Sequence, residues 1–112
     1  MTGGDEDQEE VLRAFHEAVN MTPGELEDWL GTDRSRGAGR HGDGGESVGH
    51  ASGRRIVALL RTRKGDLDQD DLAHMRKVTG YVHRHLAQRP KGDVTDTTWR
   101  YSLMNWGHDP KR

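Results

Sequence analysis

The chain contains no cysteine, three prolines, a single phenylalanine and no long hydrophobic run. Each scarcity excludes something. Without cysteine there is neither a disulfide framework nor a thiolate metal centre. A membrane-spanning helix needs about 18 consecutive apolar residues, and no stretch here approaches that. The opening "MTGGDEDQEE" is acidic where a secretory signal would be basic. A cytoplasmic protein with no membrane partner is the expectation. Aromatic residues make up only 5% of the sequence, so Trp29, Trp99 and Trp106 are expected to fill a small core rather than stack on bases. A chain of 112 residues predicts one domain, read as residues 9–110 behind an acidic flexible tail, residues 1–8, with the last few residues loose as well.

What is abundant is charge, at 32% of residues against 30% hydrophobic. The net charge of −2 hides a division: residues 1–33 sum to −9 and residues 34–112 to +7. An acidic head before a basic body suggests either a polyanionic partner or two halves that neutralise each other within the fold.

Periodicity predicts an all-α, compact bundle of about five helices. Val11, Leu12, Phe15, Ala18 and Val19 share one helical face between Glu9 and Asn20. In "MTPGELEDWLGTD", Thr22 as N-cap, Pro23 at the first helical position and Glu25 three residues after the cap form a capping box, and Gly31 ends that helix. Residues 33–49 are glycine-rich with almost no large apolar side chain, which predicts a long loop. Ser52 is expected to cap the next helix, with Ile56, Val57, Leu59 and Leu60 buried and an end at Gly65. Asp68 and Asp71 start a long helix with Leu72, Met75, Thr79, Val82 and Leu86 on its apolar stripe, stopped by Pro90. Gly80 inside it is expected to mark a close helix crossing, with a kink as the alternative. Asp96 or Thr97 opens a last helix carrying Trp99, Leu103 and Trp106, closed by Gly107. No strand alternation and no repeat is present.

Two places carry candidate chemistry. Opposite the apolar stripe of the long helix lie His74, Lys77, Tyr81, Arg84 and Gln88, with His85 beside them, and no acid occurs between Leu72 and Gly92. A face of cations, a phenol and an amide can meet phosphates and base edges; the plain alternative is a solvated face answered by the acidic head. The second place is the expected helix start at Ser52, Gly53, Arg54 and Arg55, where free amides and two guanidinium groups would make an anion site, with Arg61 adding charge further on. No P-loop or dinucleotide fingerprint is present, and the usual zinc spacings are missing. His74 and Asp70 at i, i+4 lack a third ligand near in sequence, so no metal and no cofactor is expected. Glu46, Ser47, His50 and Ser52 hold atoms suited to acid–base or nucleophilic work, but a loop does not fix them, and no catalytic residue is assigned.

Four ordered motifs, "MTPGELEDWL", "GGESVGHASGRRIVALL", "DDLAHMRKVTGYVHRHLAQRP" and "WRYSLMNWGHDP", resemble a family of small actinobacterial and fungal proteins of unknown function, over about residues 9–110. Some members carry a DNA-binding label. The resemblance implies a bacterial intracellular origin and no catalytic residue. The residues therefore point to a small non-enzymatic module that binds DNA or RNA through Arg54, Arg55, Arg61, Lys77 and Arg84, with Tyr81 and Gln88 near the groove. The competing reading is a protein–protein or homodimerisation module with no nucleic-acid role.

Overall fold

Helix boundaries follow the strongest capping signals. The computed structural model describes residues 3–38 and 48–112, with side chains from residue 8 onward. Among these residues are six α-helices and no strand: α1 (Gly3–Ala18), α2 (Pro23–Leu30), α3 (Asp33–Gly37), α4 (Val48–Leu60), α5 (Gln69–Leu86) and α6 (Thr98–Asn105), with a 3-10 turn at Lys64–Asp66. The box at α2 is formed: the Glu25 amide donates to Thr22 Oγ1 at 3.1 Å and the Thr22 amide to Glu25 Oε1 at 2.9 Å. Asp68 and Asp71 make the same reciprocal pair at the start of α5, at 2.8 and 3.1 Å. Thr97 caps α6. α1 starts earlier than its apolar pattern, because acidic residues suit the positive end of a helix.

The expected loop over residues 33–49 is corrected at both ends. Thr32 caps α3, a five-residue helix, and α4 already begins at Val48. Residues 39–47 lie outside the described residues. α3 escapes a hydrophobic reading because its one buried side chain is Ser35. Ser35 Oγ donates to Asn105 Oδ1 at 2.5 Å, and Asn105 Nδ2 returns a bond to the Ser35 carbonyl at 3.0 Å. Trp29 Nε1 donates to the same Asn105 oxygen at 2.8 Å, so one buried amide joins α2, α3 and α6.

Ser52 is likewise not a cap. It sits in the second turn of α4, 5% exposed. The first turns of α4 are poor in apolar residues because another backbone comes close. A Cβ at Gly53 would lie 2.5 Å from the Asn105 carbonyl oxygen and 2.6 Å from Leu30 Cδ2; one at Gly49 would lie 3.2 Å from Trp106 Nε1. The glycines therefore admit the end of α6 and a leucine of α2.

α1 packs along α5, α2 packs along α4, and α6 touches α2, α3, α4 and α5. Phe15, Leu26, Ile56, Met75, Val78, Val82 and Leu103 are fully buried. On α5 the expected stripe holds at Leu72, Met75 and Val82, while Val78 is buried in place of Thr79, which is half-buried and donates its hydroxyl to the Met75 carbonyl at 3.0 Å. α4 ends at Leu60, before Gly65, where the Arg61 amide bonds the Val57 and Ala58 carbonyls.

The final residues are fastened rather than loose. Gly107, at φ +82°, accepts the Asn20 and Met21 amides on its carbonyl. Asn20 and Asp109 exchange hydrogen bonds at 2.8 and 3.0 Å, and Arg100 grips both Asp109 oxygens at 3.1 Å. His108 Nδ1 lies 2.7 Å from the Ala18 carbonyl, and Arg112 pairs with Glu25.

Candidate functional site

The polar side of α5 divides into two strips. Heptad-like spacing puts His74, Tyr81 and His85 on one line, and this line faces α6. Trp106 lies between His74, at 6.4 Å centroid to centroid, and Tyr81, at 4.1 Å. Tyr81 stacks on His85 at 5.2 Å, and His85 on Trp99 at 6.2 Å. The interplanar angles run from 14° to 18°, so five rings form one nearly parallel series. The Arg89 guanidinium covers the outer end, 5.6 Å from the Trp99 ring centre. Trp99 Nε1 donates to the His85 carbonyl at 2.7 Å, which fixes α6 against the last turn of α5.

Burial sets the protonation of this seam. It pushes the Tyr81 phenol up and the His85 imidazole down, and His85 Nε2 is buried with no hydrogen-bond partner. Burial also lowers His74, and the neighbouring Arg55 and Lys77 cations add to the effect against a smaller pull from Asp71. His74 Nε2 lies 3.0 Å from Ser52 Oγ. His74 and Tyr81 are thus half-buried against Trp106 and do not stand with the exposed strip.

The outer strip is different. Arg76, Lys77, His83, Arg84 and Gln88 are exposed. Among the described residues neither Lys77 nor Arg84 has an ion-pair partner. Ala73 and Ala87 are exposed beside these side chains, and Gly80 is half-buried and lines a hollow with Glu10, Val11 and Ala14 of α1. Gly80 marks no helix crossing: a Cβ there would meet only the Arg84 guanidinium, at 3.3 Å. Three acids of the head pair away from the strip, while Glu10 of α1 shares a hollow with Arg76 and Gly80. Glu9 pairs with Lys64 and Glu27 with Arg61, each at 3.1 Å, and Glu25 with Arg112.

The remaining sequence candidates separate. Because α4 starts at Val48, the amides from Ser52 to Arg55 bond carbonyls four residues back and are closed to an anion. Gly53 is buried at the α6 contact, Arg54 is exposed, and Arg55 pairs with Asp71 at 3.4 Å. His50 Nε2 lies 2.7 Å from the Leu30 carbonyl, a structural bond. No three His, Asp or Glu side chains converge among the described residues. No described helix is long and apolar enough to cross a membrane.

Two hollows open beside Trp106. One, of about 350 Å³, lies between α4 and α5 and is lined by Ser52, Arg55, His74 and Lys77. The other, of about 410 Å³, is lined by Gly49, Tyr81, His85, Ser102 and Asn105. Sequence reasoning placed Trp106 in the core but missed its place between two rings of α5. The signal was the spacing of the rings at positions 74, 81 and 85.

Comparison with known families matches the chain to a family described as "Protein of unknown function (DUF3140)", over residues 14–104. The chain belongs to the DUF3140 family. The DUF3140 region runs from near the end of α1 to the last turn of α6, so it contains both strips of α5 and most of the lining of the two hollows, and it stops short of Asn105 and Trp106. The description of the DUF3140 family names no ligand and no activity. Searches of curated proteins and of solved structures find no match.

Proposed function

We propose that this DUF3140 protein is a nucleic-acid-binding module that meets the phosphate backbone with the outer strip of α5. The observation that carries the reading is the pair Lys77 and Arg84, exposed, without ion-pair partners among the described residues, on a helix whose own sequence has no acid between Leu72 and Gly92. Counterion release makes such unpaired cations effective toward a polyanion. Gln88 and Arg76 flank them, and the small exposed residues at 73 and 87 let a groove wall approach the helix. Arg55 and Arg61 hold carboxylates and are peripheral, while Tyr81 supports the strip from behind.

Fluorescence anisotropy with a labelled mixed-sequence duplex tests this. Binding is expected at low salt, with log K falling by about 0.9 per phosphate contact for each log unit of salt. The double variant Lys77→Glu, Arg84→Glu weakens binding to every sequence and lowers the salt slope. Removing residues 1–8, which include the first turns of α1 with Asp5, Glu6 and Asp7, tightens binding if those acids compete for the strip. Absence of binding to duplex and single strand at low salt, or equal affinity in the charge-reversed variant, refutes the reading in favour of a protein partner.

A further inference from the structure

The hollow between α4 and α5 joins residues from three helices whose chemistry converges. Arg55 approaches from α4 and Lys77 from α5, and the Ser52–His74 pair lies at the wall between them. Trp106 and Val48 supply the apolar part, Val48 being 66% exposed at the lip. The volume of about 350 Å³ falls at the lower end of small-ligand sites, about 300–1,000 Å³. We propose that this hollow is a binding site for a small phosphate monoester carrying a flat apolar group. The inference does not rest on duplex binding.

The donor set favours phosphate. Two cations on separate elements and a hydroxyl between them can serve three acceptor oxygens of a dianion, whereas a carboxylate offers only two oxygens. Arg55 gives Asp71 one nitrogen, Nη2 at 3.4 Å, and its fork retains further donors. The flat group then lies toward Trp106 and Val48, outside the cationic end.

The Ser52–His74 pair makes the site responsive. The His74 imidazole is pushed toward its neutral form, by burial and then by Arg55 and Lys77. A bound dianion offsets those two cations and favours imidazolium. His74 Nε2–H then donates to Ser52 Oγ, and the serine hydroxyl is released to donate its own proton to a phosphate oxygen. Binding should therefore raise the His74 pKa, a result that a loose surface contact would not give.

The test is histidine-resolved NMR titration of the whole chain, with phenyl phosphate as the probe and benzoate, inorganic phosphate and phenol as comparisons. Saturable binding of phenyl phosphate is expected, with the His74 pKa rising by about one unit or more. Arg55→Gln and Lys77→Gln should each weaken binding about tenfold or more, the loss associated with a charged hydrogen bond. Ser52→Ala, checked for native helix content, should weaken binding and reduce the His74 response. Arg84→Glu should leave phenyl phosphate affinity unchanged while it impairs duplex binding, so the two proposals fail separately. The inference is overturned if phenyl phosphate produces no saturable shift of His74, if affinity is unaltered in both Gln variants, or if benzoate or inorganic phosphate binds as tightly as phenyl phosphate.

Discussion

The two polar strips of α5 run side by side on one helix and have opposite surroundings. His74, Tyr81 and His85 lie against tryptophans from α6, and their polar atoms are bonded, desolvated or both. Lys77, Arg84 and Gln88 stand in solvent. The seam contributes to holding the fold, and the outer strip is free to meet a partner. A substitution in one should register mainly as stability, and in the other mainly as binding.

The sharpest way to break this distinction is Trp106→Ala. The indole is 4% exposed and stacked between His74 and Tyr81. Its removal should cost about 3–5 kcal/mol in urea unfolding, in line with large aromatic deletions from cores. A smaller loss is expected from Gly53→Ala, whose Cβ must displace the α6 backbone at Asn105 or a methyl of Leu30. Overpacking of this kind costs about 1–3 kcal/mol. A flexible helix start at Ser52 would instead be stabilised by the added alanine, so the direction of the change separates the two geometries.

Acidification should act on the seam next. The unfolded chain takes up protons at His74 and His85 near the ordinary value of 6.5, while the folded chain resists because both are lowered. Stability is therefore complete above that value and declines as pH falls toward the lowered folded pKa values. Asp71, Asp93 and Asp109 are also lowered, by hydrogen bonds from backbone and side-chain donors that at Asp109 outweigh burial. Their contribution is intact above 3.8 and is lost as pH falls through their folded values. Urea midpoints measured from pH 8 to pH 3 should show two descending stages, and His85→Phe should diminish the upper one. The smallest effect belongs to the outer strip: Lys77→Ala and Arg84→Ala should each change stability by no more than about 0.5 kcal/mol. A larger loss from either would merge the two strips into one structural face.

Much of the fold was readable wherever a local interaction sets it. The Thr22–Glu25 and Asp68–Asp71 boxes and the Thr97 cap were legible because donor and acceptor lie three residues apart. Phe15, Ile56, Met75 and Leu103 were legible because periodicity finds buried faces. What escaped was decided at long range. The Asn105 amide organises Ser35 and Trp29 across 70 and 76 residues, with no local mark in the sequence. Gly49, Ser52 and Gly53 read as linker and cap because small residues look alike whether they meet solvent or a neighbouring helix. On α5 the period located the polar side correctly and could not show that the rings there had partners on α6. The candidate site divided for that reason: Lys77, Arg84 and Gln88 kept their exposed position, Ser52, Arg55 and Lys77 gathered at a hollow, and the expected helix-start anion site did not form.

The fastening of Asp109 to Asn20 has a consequence for the order of events during synthesis. The two residues lie 89 positions apart, and Gly107 supplies acceptors for the chain between α1 and α2. Until the segment from Gly107 to Asp109 has left the ribosome, the Asn20 and Met21 amides lack their native partner and α1 cannot be locked at its C-terminal end. The capped helix α2 can form early, but closing this contact requires the chain to extend through Asp109. Native structure around α1 should therefore appear in one step once the nascent chain has extended past Asp109.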